Sequence, residues 1–333
     1  MKEIDGLYYP NGSFRDRDEI RRKLLLQGTE LPRPRYITSP PTTRTFDEWT
    51  KIVLRRQQER KEVLGIPESV EVEIDSEKPI CLAMIPDVHA GGEDVNYHRF
   101  VRDVDIIRSI KAFAVTVGDL TDSFFFMPGV DEQLTSSEEE VLYVKSALGL
   151  LAEGGRLLAG WGGDHDLWGR DKMGAHSLYA EFYDRFGAYY LEGVSYLTIG
   201  LNNGERLVKY PFVGSHRHNG YSVYNDCHAA LRQLRDEGIA PNSDHIISFT
   251  AHKHWKGSLT QIHKVHGGDE VCFHCLALGS YKESDRYSRK RGYPRKKEKS
   301  QGATAVILYP GEQKVDICWD MDEAMEKMTS LVS

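Results

Sequence analysis

The chain lacks any run of 18 apolar residues, so nothing in it reads as a membrane-spanning helix. Its first residues, Met1-Lys2-Glu3-Ile4-Asp5, lack the apolar stretch of a secretory leader. Together these absences carry the expectation of a cytoplasmic protein with no membrane contact. An excess of positive charge is also missing. Lys and Arg number 43 against 50 Asp and Glu, a net charge of −7. No global basic field draws nucleic acid, and any such affinity must come from a local patch. Cysteine is scarce, with five residues, an odd number that argues against a disulfide framework. Cys81, Cys272 and Cys275 sit in strand-like apolar stretches, as buried free thiols of a reducing compartment do. Cys272-Phe273-His274-Cys275 has the outline of half a zinc knuckle, but no second cysteine pair completes it, and it reads as a core strand. No internal repeat is present. What the chain does have is ordinary globular composition, 40% hydrophobic and 28% charged over 333 residues, enough for a large core without staples.

Residues 1–75 read as an N-terminal arm. Residues 13–27 are charge-rich, and Pro32, Pro34, Pro40 and Pro41 follow. Thr45-Phe46-Asp47-Glu48 is a capping box that opens a helix over 46–64, stopped by Gly65 and Pro67. The arm is expected to pack on a domain spanning 76–333, with self-association or contact with substrate as the alternatives. In that domain, short apolar runs alternate with helical patterns. Strands are expected at 80–85, 112–117 and 156–159, and helices at 96–111 and 136–153, the latter capped by Ser136 or Ser137. Further strands follow at 208–213, 245–249, 271–278, 303–308 and 314–318, and a helix closes the chain at 320–331. Early βαβ units followed by β-rich segments point to α/β layers around a mixed sheet.

Chemistry appears where strands end, the usual place for catalytic groups in α/β proteins. Asp87-Val88-His89 follows the first strand, offering an oxygen and a nitrogen ligand to one cation. Gly118-Asp119-Leu120-Thr121-Asp122 follows the second, with Asp119 able to bridge two ions and Asp122 placed to orient its neighbours. Gly162-Gly163-Asp164-His165-Asp166 comes third, Gly214-Ser215-His216-Arg217-His218 fourth, and Ala251-His252-Lys253-His254 fifth. Each piece alone has a bland reading, such as a turn aspartate beside an incidental histidine. The remaining histidines, His98, His176, His228, His245, His263, His266 and His274, lack ligand spacing.

The order D-x-H, G-D-x-x-D, G-[ND]-H-D, H, H-x-H resembles the calcineurin-like metallophosphoesterase family over residues 80–280. That resemblance implies an α/β fold of two stacked mixed β-sheets flanked by helices, with two divalent ions at the strand ends. Manganese is the expected metal, and iron, zinc and magnesium also suit oxygen and imidazole donors. Asp87, His89, Asp119 and His254 would hold the first ion, with Asp119 bridging. Asp164, His216 and His252 would complete the second, His216 being preferred to His218 because it comes first after the strand. His165, hydrogen-bonded to Asp166, would stabilise the transition state or protonate the leaving oxygen. The implied reaction is hydrolysis of a phosphomonoester or phosphodiester by metal-activated water, without a covalent intermediate. His216-Arg217-His218-Asn219-Gly220-Tyr221-Ser222, and Leu278-Gly279-Ser280-Tyr281-Lys282 with Asp285 and Tyr287, resemble phage-encoded members, for which the compartment would be the host cytoplasm.

The chain departs from the family pattern at Ala251, where the family has Gly, and at Asp164, where it has Asn. A carboxylate at Asp164 would tighten divalent binding and weaken the ions' pull on phosphoryl oxygens. Substrate class turns on 282–299, where Lys282, Arg286, Arg289, Lys290, Arg291, Arg295, Lys296, Lys297 and Lys299 are interleaved with Tyr281, Tyr287 and Tyr293. Cations with aromatic neighbours suit phosphate tracking and base stacking, so nucleic acid is the expected substrate and partner, with Lys282, Tyr287, Lys290, Arg291, Tyr293, Arg295, Lys296 and Lys297 as its contacts. Nucleotides and phosphoproteins are the alternatives. A metal-bearing binding module that has lost catalysis is the competing class. Phe124-Phe125-Phe126-Met127 reads as buried packing, a substrate wall or an interface.

Overall fold

The computed structural model describes residues 45–64, 66–123, 132–167, 178–222, 224–237, 243–264, 270–283 and 300–332. The start of the arm (1–44), the aromatic run 124–127 and the basic segment 284–299 lie outside the described residues. That segment takes with it Tyr287, Lys290, Arg291, Tyr293, Arg295, Lys296 and Lys297. The chain divides into two compact units, residues 1–65 and 66–333. In the first, helix α1 (Phe46–Leu64) starts on the expected capping box: Thr45 N–H donates to Glu48 Oε2 at 2.7 Å, and Glu48 N–H returns to Thr45 Oγ1 at 3.3 Å.

Two six-stranded mixed sheets form the second unit, in the orders β12-β11-β2-β3-β4-β5 and β1-β6-β7-β8-β10-β9. The first combines β2 (Ile80–Pro86), β3 (Phe113–Val117), β4 (Leu157–Trp161) and β5 (Tyr189–Leu191), all parallel, with β11 (Thr304–Leu308) antiparallel to β2 and β12 (Val315–Cys318) antiparallel to β11. The second combines β1 (Ser69–Asp75), β6 (Ser195–Asn202), β7 (Leu207–Ser215), β8 (His245–Thr250), β9 (Gly257–Lys264) and β10 (Glu270–Ala277). In it β7, β8 and β10 run parallel. The last seven residues of the stretch read as an arm, 69–75, are therefore a strand of this unit, paired with β6.

Alternation along the strands builds three cores. On β2, Leu82 and Met84 face the second sheet, meeting Ile199, Phe212 and Phe249. Cys81, Ala83 and Ile85 point the other way, into helices α2 (Tyr97–Ser109), α3 (Ser137–Ala152), α4 (Leu178–Arg185) and α6 (Met321–Val332). The far face of the second sheet is closed by α5 (His228–Glu237), whose Ala230 and Leu234 pack on Ile246 and Phe273. Both faces of β2 are thus covered, which is why all seven of its residues are buried and it reads as one apolar run. Trp161 on β4 and Phe249 on β8 meet edge to face, 4.9 Å apart, tying the sheets together beneath the strand ends. Such a pair adds about 0.5–1.5 kcal/mol beyond its buried area. Helix starts are fixed locally: Asn96 accepts from Arg99 N–H at 3.0 Å, and Ser136 with Glu139 makes a capping box on α3. Cys272 and Cys275 lie three apart on β10 and so face opposite ways, Cys275 into the α5 core, which excludes a knuckle. Among the described residues, no helix is long and apolar enough to cross a membrane.

Candidate metal centre

The carboxyl ends of β2, β3 and β4 lie side by side in one sheet, those of β7 and β8 side by side in the other. Their loops converge. Asp87 Oδ2 accepts from His252 N–H at 3.0 Å, joining the loops after β2 and β8, and His216 Nδ1 donates to Val117 O at 3.1 Å, joining those after β7 and β3. Gly118, at φ 72°, lies where a Cβ would collide with the His216 ring and the backbone of Gly163. Asp87, His89, Asp119, His252 and His254 all hold φ between 38° and 66°. Among the described residues, only Lys111 and Ser123 are further non-glycine cases. Left-handed backbone at such residues is costly and gathers where side chains must be aimed at a site.

Two groups of donors result, with ligand atoms within 4.8 Å of one another: Asp87, His89 and His254, and Asp119, His216 and His252. In the first, the Nε2 atoms of His89 and His254 face each other at 3.2 Å, and Asp87 Oδ1 lies 3.6 Å from His254 and 3.9 Å from His89. Asp119 links the groups. Its Oδ1 accepts the His165 N–H at 2.8 Å, which turns Oδ2 to lie 3.2 Å from His216 Nε2 and 3.8 Å from His89 Nε2. Asp164 stands at the rim, its Oδ2 3.5 Å from His252 Nδ1 and 3.2 Å from Arg217 Nη1. His218 turns away, its Nε2 3.7 Å from Asp236.

These residues fit divalent ions on the chemistry of their donors. Nitrogen ligands about 2.0–2.1 Å from one ion stand roughly 2.9–3.4 Å apart, the separation of the facing imidazoles. Asp87 Oδ1 is buried without a hydrogen-bond partner, a cost that a cation between it and its neighbours would remove. Tautomers agree. Asp122 accepts from His89 Nδ1 at 2.8 Å, as Val117 O does from His216 Nδ1, so both Nε2 atoms are turned to the centre.

Electrostatics within the centre is divided. Burial pushes Asp87 up to about 7, with His216 opposing and Asp119 adding to it. Burial acts upward on Asp119 too, yet His216, His165 and His89 hold its carboxyl well below the usual range. Burial favours neutral His216, but the adjacent Asp119 carboxylate outweighs it and pushes the imidazole up to about 10. Burial, with Lys282 and His165 beside it, keeps His89 well below 6.5, a neutral nitrogen donor at physiological pH. An ion at the His216–Asp119 contact would therefore displace a proton.

Three placements differ from the sequence reading. Asp166 does not hold His165. It accepts the backbone N–H groups of Leu120 at 2.9 Å, Thr121 at 3.4 Å and Gly163 at 3.1 Å, pinning the β3 and β4 loops together. His165 is oriented instead by Asp122, whose backbone carbonyl accepts from its Nδ1 at 2.5 Å. Lys282, read as the first cation of the substrate run, is 5% exposed and donates from Nζ to Asp122 Oδ1 at 2.7 Å. Lastly, His245 and His274, unremarkable in spacing, meet through the parallel register of β8 and β10, His245 Nδ1 lying 2.9 Å from His274 Nε2. Their ring planes differ by only 7° and the centroids are 5.2 Å apart, so the two nitrogens point straight at each other as an N–H···N bond. Cys272 completes a possible donor trio, but that bond already fills the space between the rings.

No family model matches the chain, and no curated protein matches it. Among solved structures, it is similar to Yfce, a phosphoesterase from E. coli, at 12% identity and a TM-score of 0.33, over 71% of this chain and 96% of that one. GAP50, the anchor in the inner membrane complex of Plasmodium, is similar at 10% identity and a TM-score of 0.34, over 76% and 95%.

Proposed function

We propose that this chain is a metal-dependent phosphoesterase of the calcineurin-like kind, acting on phosphodiesters of nucleic acid. One observation carries the reading: four strand-end loops bring Asp87, His89, His254, His216 and His252 together around Asp119, whose Oδ2 lies 3.2 Å from His216 and 3.8 Å from His89, with Asp164 of a fifth loop at the rim. Asp87, His89, Asp119 and His254 would hold one ion, and Asp119, His216, His252 and Asp164 the other, manganese being the first choice. When bound, such a pair lowers the pKa of a shared water towards neutrality and offsets phosphoryl charge.

The chain's own residues supply the rest. Asp122 fixes the His89 tautomer through its carboxylate and the His165 tautomer through its carbonyl. With Nδ1–H so engaged, Nε2 is the remaining ring nitrogen, and from the doubly protonated ring it would deliver its proton to the leaving oxygen; the ring stands edge-on to His89 at 4.8 Å. Asp166 keeps this loop in place from beneath. Support for nucleic acid is the basic, tyrosine-bearing segment that follows β10 in the sequence.

Metal-stripped protein should hydrolyse an aryl phosphodiester only after Mn²⁺ is restored, and Asp119→Ala should abolish turnover. Undiminished turnover in Asp119→Ala would refute the two-metal reading. Neutralising Lys290, Arg291, Lys296 and Lys297 together should weaken nucleic-acid binding and flatten its salt dependence, by about 0.7 per lost contact on single strands and 0.9 on B-DNA. An unchanged salt slope would return the segment to a solvated charge run.

A further inference from the structure

Beside His252, the loops after β7 and β8 enclose a cavity of about 270 Å³, lined by Arg217, Tyr221 and Lys253 among others. It shares His252 with the metal centre, and Arg217 reaches from its wall to Asp164 at the rim. A molecule with its phosphate at the centre therefore has this cavity as its neighbour.

The lining has a definite chemistry. Arg217 and Lys253 bring two cations, and Arg217 offers Asp164 one nitrogen of a planar fork that suits phosphate oxygens. Tyr221 is 80% exposed, an aromatic face standing open beside a metal site, with Lys253 Nζ 5.6 Å from its ring centroid. The loop that presents it is built rather than loose. Lys253 Nζ donates to Gly220 O, and a Cβ on Gly220 would lie 2.9 Å from Ala229 Cα at the start of α5, so only glycine lets the loop seat there. Planar ring plus adjoining anion is the signature that these groups read together. A phosphoprotein offers the anion but no obligatory ring.

We infer that this cavity is the subsite for the nucleoside next to the scissile phosphate, with the base stacked on Tyr221 and a flanking phosphate held by Arg217 and Lys253. The inference rests on the phosphoesterase reading for the position of the scissile group. It assigns the substrate as a nucleotide or a nucleic-acid strand, through residues separate from the basic segment.

Two esters with the same 4-nitrophenolate leaving group test it: thymidine 5′-(4-nitrophenyl) phosphate and methyl 4-nitrophenyl phosphate. Binding of thymidine 5′-monophosphate, followed by calorimetry, gives a readout that needs no turnover. The Mn²⁺-loaded protein should favour the thymidine ester in kcat/KM. Tyr221→Ala should reduce that preference about 5- to 150-fold, the range of one base–aromatic stack, and weaken thymidine 5′-monophosphate binding comparably, while Tyr221→Phe retains both. Equal kcat/KM for the two esters, a preference untouched by Tyr221→Ala, or undetectable nucleotide binding would overturn the subsite. Hydrolysis of neither ester, with nucleotide binding still dependent on Tyr221, would keep the subsite and remove the hydrolytic reading.

Discussion

Lys282→Met isolates the most consequential contact behind the candidate metal centre. Lys282 and Asp122 are 6% and 2% exposed in their side chains and meet at 2.7 Å. The same Oδ1 accepts from His89 Nδ1, while Oδ2 accepts from Gln133 Nε2 at 2.8 Å. Removing one member of a buried ion pair costs about 3–5 kcal/mol, because the other charge is stranded. Here two neutral donors remain on the carboxylate, each contributing on the order of 1 kcal/mol. The expected loss is therefore about 2–3 kcal/mol, read by urea unfolding of the metal-free protein. Lys282→Met with Asp122→Asn removes both charges and should cost less than the two single changes summed, by about 1 kcal/mol or more. Losing the cation also removes one of the charges that hold the His89 pKa down, after burial, so ion affinity in a chelator competition should rise. A loss below about 0.5 kcal/mol would refute the buried pair and return Lys282 to the basic run.

The donor residues stand out in the sequence because of how their strands are buried. β2, β3, β4, β7 and β8 are covered on both faces over much of their length, so they read as apolar runs whose ends are sharp. The polar residues beyond each end stand out against them. β9 alternates half-buried and exposed positions at a sheet edge, and β1 alternates charge with Val and Ile, so neither shows as an apolar run. Adjacency misled at Asp166. Residues 164–167 form a helical turn, in which successive side chains point about 100° apart, so Asp166 faces the backbone of the β3 loop rather than His165. Lys282 lies in the loop after β10 and bridges to Val95, a position that its charge, read along the sequence, attached to the run that follows. The His245–His274 pair is set by strand register across 29 residues, which no spacing rule reports.

The other predictions follow from the same contacts. Asp164→Asn should weaken ion affinity and leave kcat equal or higher, since Arg217 already offsets the carboxylate; a fall beyond ~100-fold, about 2.7 kcal/mol of barrier, would mean that the carboxylate is required. His165→Ala should cost ~10²–10⁴-fold in kcat with bound metal retained, whereas Asp166→Ala, which strips three backbone donors of their acceptor, should show chiefly in urea stability; collapse of metal content in His165→Ala would make it a ligand. Finally, burial, with His245 beside it, lowers the His274 pKa to about 4. The folded chain thus holds this imidazole neutral where the unfolded chain, near 6.5, takes up a proton. Its stability is fully present above about pH 6.5 and is lost as pH falls towards 4. Two and a half units correspond to roughly 3 kcal/mol, and partial access of solvent reduces this to about 2. His274→Gln has no proton to take up, so the difference in urea stability between wild type and variant should shrink by that amount from pH 7 to pH 4. Parallel pH profiles for the two proteins would show that His274 is not held neutral by its burial against His245.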